Sequence, residues 1–168
     1  SAVTPWHDSY DMEGGRVRYF GDAKFEHMSD PHGVEGNKVM MSLFEQHRSP
    51  PREVRAHAPP LVFFERPEKK GYVTFRGFGV IENAELVTQV DSDGMAFSNY
   101  VYDCALLKLA KEGECLDWAW ISRRKDPSVT DSQALDLAPK AWRDWVQGGA
   151  GALPTVRRVV ARQGIVGK

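Results

Sequence analysis

The stretch from Leu61 to Tyr102 constrains the fold of this chain more than any other segment. It consists of short runs of aromatic and β-branched residues, divided by breaks rich in Gly, Pro and Asp. Such runs have the composition of strands that pack on a pleated, half-buried surface. Gly77 and Gly79, which flank Phe78 inside one run, mark a bulge or a corner of the sheet. The stretch therefore predicts a small curled sheet or barrel.

Two segments before this stretch have regular periodicity. Arg16–Phe20 has the pattern of a strand, and Asn37 stands where it can cap a helix. Ser49 and the two prolines after it end that helix. Its apolar positions recur at helical spacing and are Met40, Leu43, Phe44 and His47.

The second half of the chain changes from strand to helix. Asp91–Gly94 has the chemistry of a turn, and the following run to about Leu109 begins as a strand, although its leucine spacing leaves its second half ambiguous. A helix over Asp117–Lys125 is expected to turn Trp118 and Ile121 inward, with Trp120 as a further candidate. Later helices are expected at Asp131–Leu137 and Lys140–Gln147, and Thr155–Gln163 is either a final helix or a linker.

Composition limits the class of protein. A chain of 168 residues with 42% apolar and 27% charged residues is one ordinary domain, with apolar runs far shorter than a membrane span. The amino-terminal residues lack the basic-then-apolar order of a signal peptide. Cys104 and Cys115 are too few for a disulfide framework, which favours a cytoplasmic location.

The net charge of −1 conceals an asymmetry. Residues 1–120 hold 13 Lys and Arg against 19 Asp and Glu, whereas residues 121–168 hold 9 against 4. A basic balance over the whole chain would indicate strong non-specific nucleic-acid binding. This distribution indicates at most a local basic surface near the carboxyl end, or simply a solvated helix face.

Catalytic and metal-binding motifs are weak. His27, His32, Glu35, His47 and His57 match no zinc-ligand spacing, so surface histidines are the preferred interpretation and neither a metal nor a cofactor is expected.

Asp22 and Lys24 resemble the carboxylate–lysine part of a nuclease motif, but the further acidic ligand that such chemistry needs does not stand out. A small metal-dependent nuclease therefore stays as an alternative, and the favoured interpretation is a chain that binds without catalysing.

Aromatic and carboxylate side chains suggest a binding site instead. Aromatic rings stack on nucleic-acid bases, and an aspartate accepts a hydrogen bond from the amino group of cytosine. Asp22, Asp103 and Asn99 are therefore candidates to contact the edge of a flipped cytosine, although each also suits a turn or a cap.

An ordered series of short motifs spans roughly residues 15–148. Together they resemble the N-terminal domain of AspBHI-like, modification-dependent (type IV) restriction endonucleases, and McrA-type enzymes carry similar domains. The motifs are Tyr19–Lys24, Gly36–Asn37, Arg55–Pro60, Phe63–Glu65, Gly71–Gly79, Asn99–Tyr102, Trp118–Arg124 and Ala138–Val146.

The resemblance implies an α+β fold: a curved SRA-like β-barrel of the PUA-like group with flanking helices. It implies double-stranded DNA as partner, with a modified cytosine, most often 5-methylcytosine, flipped into the barrel. It also implies that cleavage belongs to a nuclease domain elsewhere in the full-length protein. The expected organisation is a tail over residues 1–14, the recognition domain over 15–150, and a helix or linker over 151–168.

Two sets of site residues follow from this chemistry. The base-pocket candidates are Tyr19, Asp22, Phe78, Asn99, Tyr100, Tyr102, Asp103, Trp118 and Trp120. The phosphate-binding candidates are Lys24, Lys38, Arg55, Arg76, Arg123, Arg124 and Lys125. Because PUA-like domains also bind modified RNA, and related enzymes bind phosphorothioate DNA, a reader of another nucleic-acid modification is a further alternative.

Overall fold

The computed structural model describes residues 8–11, 14–24, 30–66 and 70–153. It begins with strands β1 (Ser9–Asp11) and β2 (Arg16–Phe20), the latter as predicted. A single 3-10 turn, Pro31–Gly33, leads into helix α1 (Glu35–Arg48). Thr155–Gln163 lies outside the described residues, and the β1 strand falls within the segment expected to be a tail.

A short helix and three long strands follow α1. Helix α2 (Arg52–His57), which the sequence analysis did not predict, leads to β3 (Leu61–Glu65), β4 (Thr74–Val90) and β5 (Ala96–Leu109). The ambiguous half of the last run is therefore strand. These strands form one antiparallel sheet in the order β1-β2-β5-β4-β3, curled into a half-barrel, which confirms the α+β prediction.

The chain ends in a helical layer. Its members are α3 (Trp118–Lys125), α4 (Asp131–Asp136) and α5 (Lys140–Gly148), the last followed by a 3-10 turn at Gly149–Ala152. The predicted bounds of these three helices agree with the structure to within two residues. Gly149 has a φ of 60°, which a glycine adopts without strain and which ends α5.

The two glycines inside β4 bend the sheet. The register of β4 against β5 shifts between Phe78 and Gly79, which confirms a bulge at this place. A Cβ atom at Gly77 would lie 2.0 Å from the carbonyl oxygen of Lys108, and one at Gly79 would lie 2.0 Å from that of Ala105. The strands approach so closely here that only glycine fits at either position.

Two hydrophobic cores lie on the two faces of the sheet, because successive strand residues point to opposite sides. Helix α1 covers one face with Leu43 and Phe44 against the even-numbered residues Tyr100 to Leu106 of β5. The helical layer covers the other face with a cluster of Trp120, Trp142 and Trp145 around Phe78. The apolar spacing of α1 is thus confirmed.

Two expectations about side chains are wrong. Asn37 does not cap α1, because the helix begins two residues earlier and the fully buried Asn37 side chain bonds to the Pro31 carbonyl and to Asn99. Trp118 does not turn inward: it is 59% exposed, while Trp120 is 1% exposed. Asp117 caps α3 through its carboxylate, and this sets which tryptophan faces the core.

Candidate nucleic-acid interface

A row of tyrosines crosses the sheet beside the start of α1. Tyr19 of β2 pairs directly with Tyr102 of β5, and their ring centroids lie 6.4 Å apart. Tyr100, two residues before Tyr102, has its ring centroid 6.2 Å from that of Tyr102. Tyr102 is fully buried and Tyr100 is nearly so, whereas Tyr19 is half-buried. Strand pairing thus assembles three rings from two distant segments.

An exposed carboxylate lies beside this row. The Tyr19 hydroxyl donates to Oδ1 of Asp22 across 3.4 Å. The other carboxylate oxygen lies against Gly36 in the first turn of α1, where a Cβ atom would be 2.0 Å from Oδ2. A carboxylate is favoured at this place because a helix amino terminus carries a partial positive charge. Tyr19 and α1 therefore hold an acceptor at the edge of the tyrosine row.

Buried amides fix the backbone that carries Asp22. The Nδ2 group of Asn99 donates to the Gly21 carbonyl and to Gln89 Oε1, both across 2.7 Å. Its Oδ1 accepts from three groups: the backbone N–H of Ala23 at 3.3 Å, Asn37 Nδ2 at 3.2 Å and the backbone N–H of Tyr100. Asn99 is fully buried with both ends of its amide bonded, so it supports the site from beneath rather than contacting a ligand.

Burial keeps the tyrosines protonated. It raises the pKa of Tyr19 to about 12, helped by the charges of Asp22 and Asp8, and it raises the pKa values of Tyr100 and Tyr102 as well. At neutral pH the three phenols are therefore uncharged, and their hydroxyls bond to Asp22, His32 and Asn37. The exposed Asp22 carboxylate is left as the acceptor that suits the polar edge of a base.

The structure divides the predicted pocket residues into two groups. It brings together Tyr19, Asp22, Asn99, Tyr100 and Tyr102 near the amino end of α1. The other four lie elsewhere. They are Phe78 and Trp120 in the core under the helical layer, Asp103 bonded to Arg18 at 2.9 Å, and Trp118 exposed on α3.

Phe78 and Trp120 are 2% and 1% exposed and pack in the core. Asp103 lies on the sheet face away from the tyrosines, because it follows Tyr102 directly in β5.

The phosphate candidates also occupy different environments. Lys24 and Lys38 are exposed close to Asp22 and Asn37 in the chain, and Arg123 and Lys125 are exposed on α3. Arg76 forms an ion pair with Glu65.

Two of the predicted phosphate ligands, Arg55 and Arg124, make contacts within the fold. Arg55 is 6% exposed, and its guanidinium donates to the carbonyls of Ser49 at 2.9 Å and Val146 at 2.7 Å. Arg124 donates to the carbonyls of His57 and Ala58 and stacks over Trp142. These donors hold backbone carbonyls of neighbouring helices and of the segment before β3.

The sequence did not predict the contact between His32 and Tyr100. The ring of His32 lies over Tyr100 with a centroid separation of 4.8 Å. Histidines are common surface residues, and no sequence signal links residues 32 and 100. Only the 3-10 turn before α1 brings them together.

Within the described residues, no group of three or more His, Cys, Asp or Glu side chains is placed to hold a metal ion. In the same part of the chain, none of the helices combines the length and apolar character that crossing a bilayer requires.

Comparison with known proteins places this chain in a family. The profile described as "Restriction endonuclease AspBHI N-terminal" matches residues 1–156. The structure of the MspJI restriction endonuclease in complex with a 27-mer oligonucleotide is 35% identical, with a TM-score of 0.79 over 89% of this chain and 35% of that chain. This chain thus spans about a third of MspJI. No curated protein sequence matches.

Two further structures share the fold at lower identity. The DNA recognition domain of the cytosine modification-dependent restriction endonuclease LpnPI has a TM-score of 0.60 at 22% identity, over 88% of this chain and 66% of that one. The DNA modification-dependent restriction endonuclease AspBHI has a TM-score of 0.63 at 21% identity, over 88% and 38%. The chain belongs to the family of the N-terminal domain of the restriction endonuclease AspBHI.

Proposed function

We propose that this chain is a recognition module for double-stranded DNA that carries a modified cytosine, with 5-methylcytosine as the preferred base. The base leaves the duplex and enters the site formed by Tyr19, Asp22 and Tyr100. Cleavage belongs to a nuclease domain elsewhere in the full-length protein, and this chain supplies binding alone. Family membership and the modified-DNA relatives support this proposal.

The observation that carries the proposal is the carboxylate of Asp22 beside the Tyr19 ring. A carboxylate accepts a hydrogen bond from the exocyclic amino group of cytosine, which thymine lacks. Extruding a base costs a few kcal/mol, and stacking on an aromatic side chain returns about 1–3 kcal/mol. The acceptor and the ring together therefore offset the cost of flipping.

We expect a single apolar contact with the 5-methyl group to give only a modest preference for 5-methylcytosine over cytosine. Burying one methyl group against apolar carbon contributes about 0.8 kcal/mol, which corresponds to roughly fourfold in affinity. Lys24, Lys38, Arg123 and Lys125 contribute to phosphate binding that is independent of sequence and sensitive to salt. These phosphate contacts add to those made to the base.

Binding to three matched duplexes, with cytosine, 5-methylcytosine or 5-hydroxymethylcytosine at one position, tests this function at fixed salt. We expect tighter binding to a modified duplex, and weaker binding of all three duplexes by Asp22→Ala, because the amino group from which Asp22 accepts is present in all three bases. Asp103→Asn is the matched control, because Asp103 faces the other side of the sheet and pairs with Arg18. Equal affinity of the unsubstituted chain for all three duplexes contradicts the proposal.

Competitors distinguish the alternative functions. Stronger competition by phosphorothioate DNA or by single-stranded RNA than by the methylated duplex would assign the chain to another modification. Nicking of plasmid DNA in magnesium or manganese, abolished by Asp22→Asn, would assign it to the nucleases.

A further inference from the structure

The 3-10 turn Pro31–Gly33 is held firmly against the site. Asn37 Nδ2 donates to the Pro31 carbonyl across 2.9 Å, and Pro31 itself is buried. The backbone N–H of Gly33 donates to the Asp30 carbonyl at 3.1 Å. The same Asn37 amide reaches Asn99, so the turn and the backbone of Asp22 are anchored on one buried network. The position of His32 in the middle of this turn is therefore determined by the site.

The imidazole of His32 covers Tyr100. The two rings are tilted by 59° with centroids 4.8 Å apart, and Nε2 of His32 is hydrogen-bonded to the Tyr100 hydroxyl. Tyr100 is 7% exposed, whereas His32 is an exposed residue. The histidine therefore places one side of its ring on the tyrosine row and leaves the rest of the ring towards solvent.

His32 and Asp22 lie at the same end of α1. His32 precedes the helix by three residues, and the Asp22 carboxylate lies against Gly36 in its first turn. A planar ring and a hydrogen-bond acceptor thus both lie near the amino terminus of α1. A flipped base needs both groups, one for its face and one for its polar edge.

We propose that His32 is a base-binding residue of this site, an inference that rests on the proposed function. Its imidazole stacks on the face of the extruded base while Asp22 accepts from the amino group. The hydrogen bond to Tyr100 holds the imidazole in the stacking orientation before DNA arrives. A ring that is already ordered loses less conformational entropy on binding than a free side chain does.

Two substitutions separate the ring from its hydrogen bond. His32→Ala removes the aromatic ring and its hydrogen bond to Tyr100. His32→Phe keeps an aromatic ring that can stack but has no polar atom. We expect His32→Ala to weaken binding of the 5-methylcytosine duplex by about tenfold, in line with the loss of one base–aromatic stack, and His32→Phe to retain most of the affinity. His57→Ala is the matched control, because His57 is a second exposed histidine that pairs with Asp131 beside the helical layer.

Fluorescence of 2-aminopurine placed next to the 5-methylcytosine reports unstacking on extrusion of the base independently of affinity. We expect a signal increase with the unsubstituted chain and a reduced increase with His32→Ala. Thermal unfolding of each variant controls for the fold, and the exposure of His32 predicts little change in it.

The outcomes distinguish this inference from the function on which it rests. Equal affinity of the unsubstituted chain and of His32→Ala for the 5-methylcytosine duplex overturns the role of His32 alone. An equal loss of affinity in His32→Ala and His32→Phe overturns stacking, because the polar atoms of the imidazole would then account for the binding. Absence of any preference in the unsubstituted chain overturns both proposals.

Discussion

The side-chain amide of Asn37 donates to Oδ1 of Asn99 across 3.2 Å, and both residues are completely buried. This bond joins the first turn of α1 to β5, over 62 residues of chain. Asn99 in turn bonds to the backbone of Gly21 and Ala23 on either side of Asp22. The candidate site is therefore built on one buried amide network.

Replacing Asn99 by aspartate is expected to destabilise the fold. A carboxylate cannot donate to the Gly21 carbonyl or to Gln89, and it places an unpaired charge in the interior. We expect a loss of about 3 kcal/mol in the free energy of unfolding, measured in urea at pH 7. Asn83→Asp is the control, because Asn83 is exposed on β4 and should change the free energy by less than about 0.5 kcal/mol.

Gly36→Ala is expected to affect the site more than the fold. The new Cβ atom would lie 2.0 Å from Oδ2 of Asp22, and this carboxylate is the end of an exposed side chain that is able to rotate away. Alanine also favours a helix over glycine by about 1 kcal/mol. We therefore expect stability to be retained and affinity for the 5-methylcytosine duplex to fall several-fold.

A second substitution tests that explanation. Gly36→Ala in an Asp22→Ala background should have no additional effect on that affinity, because the displaced group is already absent. Gly151→Ala is the matched control, since a Cβ atom there meets nothing within 4 Å. Additive losses in the double variant would show that Gly36 acts through another contact.

His47 makes stability depend on pH. The backbone N–H of Ile81 donates to its Nδ1 at 2.9 Å, so Nε2–H donates to the Pro59 carbonyl at 2.7 Å and the ring is neutral. Burial lowers its pKa from 6.5 to about 4. The unfolded chain therefore takes up a proton below about pH 6.5 while the folded chain does not. Stability is fully present above that pH and is lost as the pH falls towards about 4.

Urea unfolding at pH 7.5 and pH 5 measures this effect. We expect a decrease of about 2 kcal/mol between the two pH values in the unsubstituted chain, and a smaller decrease in His47→Gln. His57→Gln serves as the control because the His57 side chain is 75% exposed. A decrease of the same size in His47→Gln would assign the pH dependence to other groups.

Arg55 and Arg123 are expected to behave in opposite ways. The buried Arg55 guanidinium joins the carboxyl ends of α1 and α5 through backbone carbonyls. Arg55→Lys therefore loses several hydrogen bonds and is expected to destabilise the fold by about 2–3 kcal/mol.

Arg123→Ala is expected to leave stability unchanged and to lower the salt dependence of DNA binding by about one ion. Unfolding curves and binding titrations over a range of salt measure both variants. A reduced salt slope in Arg55→Lys with unchanged stability would restore it as a phosphate ligand.

Local periodicity was enough to predict most of the elements. The apolar spacing of Leu43, Phe44 and His47 predicts α1, and the glycines at 77 and 79 predict the bend in β4. These signals are contained within a few neighbouring residues, because helix and strand periods are local properties of the backbone. The ordered series of motifs likewise indicates the family from the sequence alone.

Assignment of individual side chains needed the tertiary structure. Asp22 and Asp103 are equivalent in the sequence as acceptors for cytosine, yet one lies beside Tyr19 and the other pairs with Arg18 on the opposite face. A shift of one residue in strand register would exchange such faces.

The sequence indicates a surface cation at Arg55, but this residue is buried in the fold. It likewise indicates a loop histidine at His32, whose ring lies over Tyr100. The sequence alone determined most of the helices and strands, although not α2. The packing of segments 60 or more residues apart decided such contacts as Asn37–Asn99, Arg55–Val146 and His32–Tyr100, because burial and hydrogen bonding depend on distant neighbours.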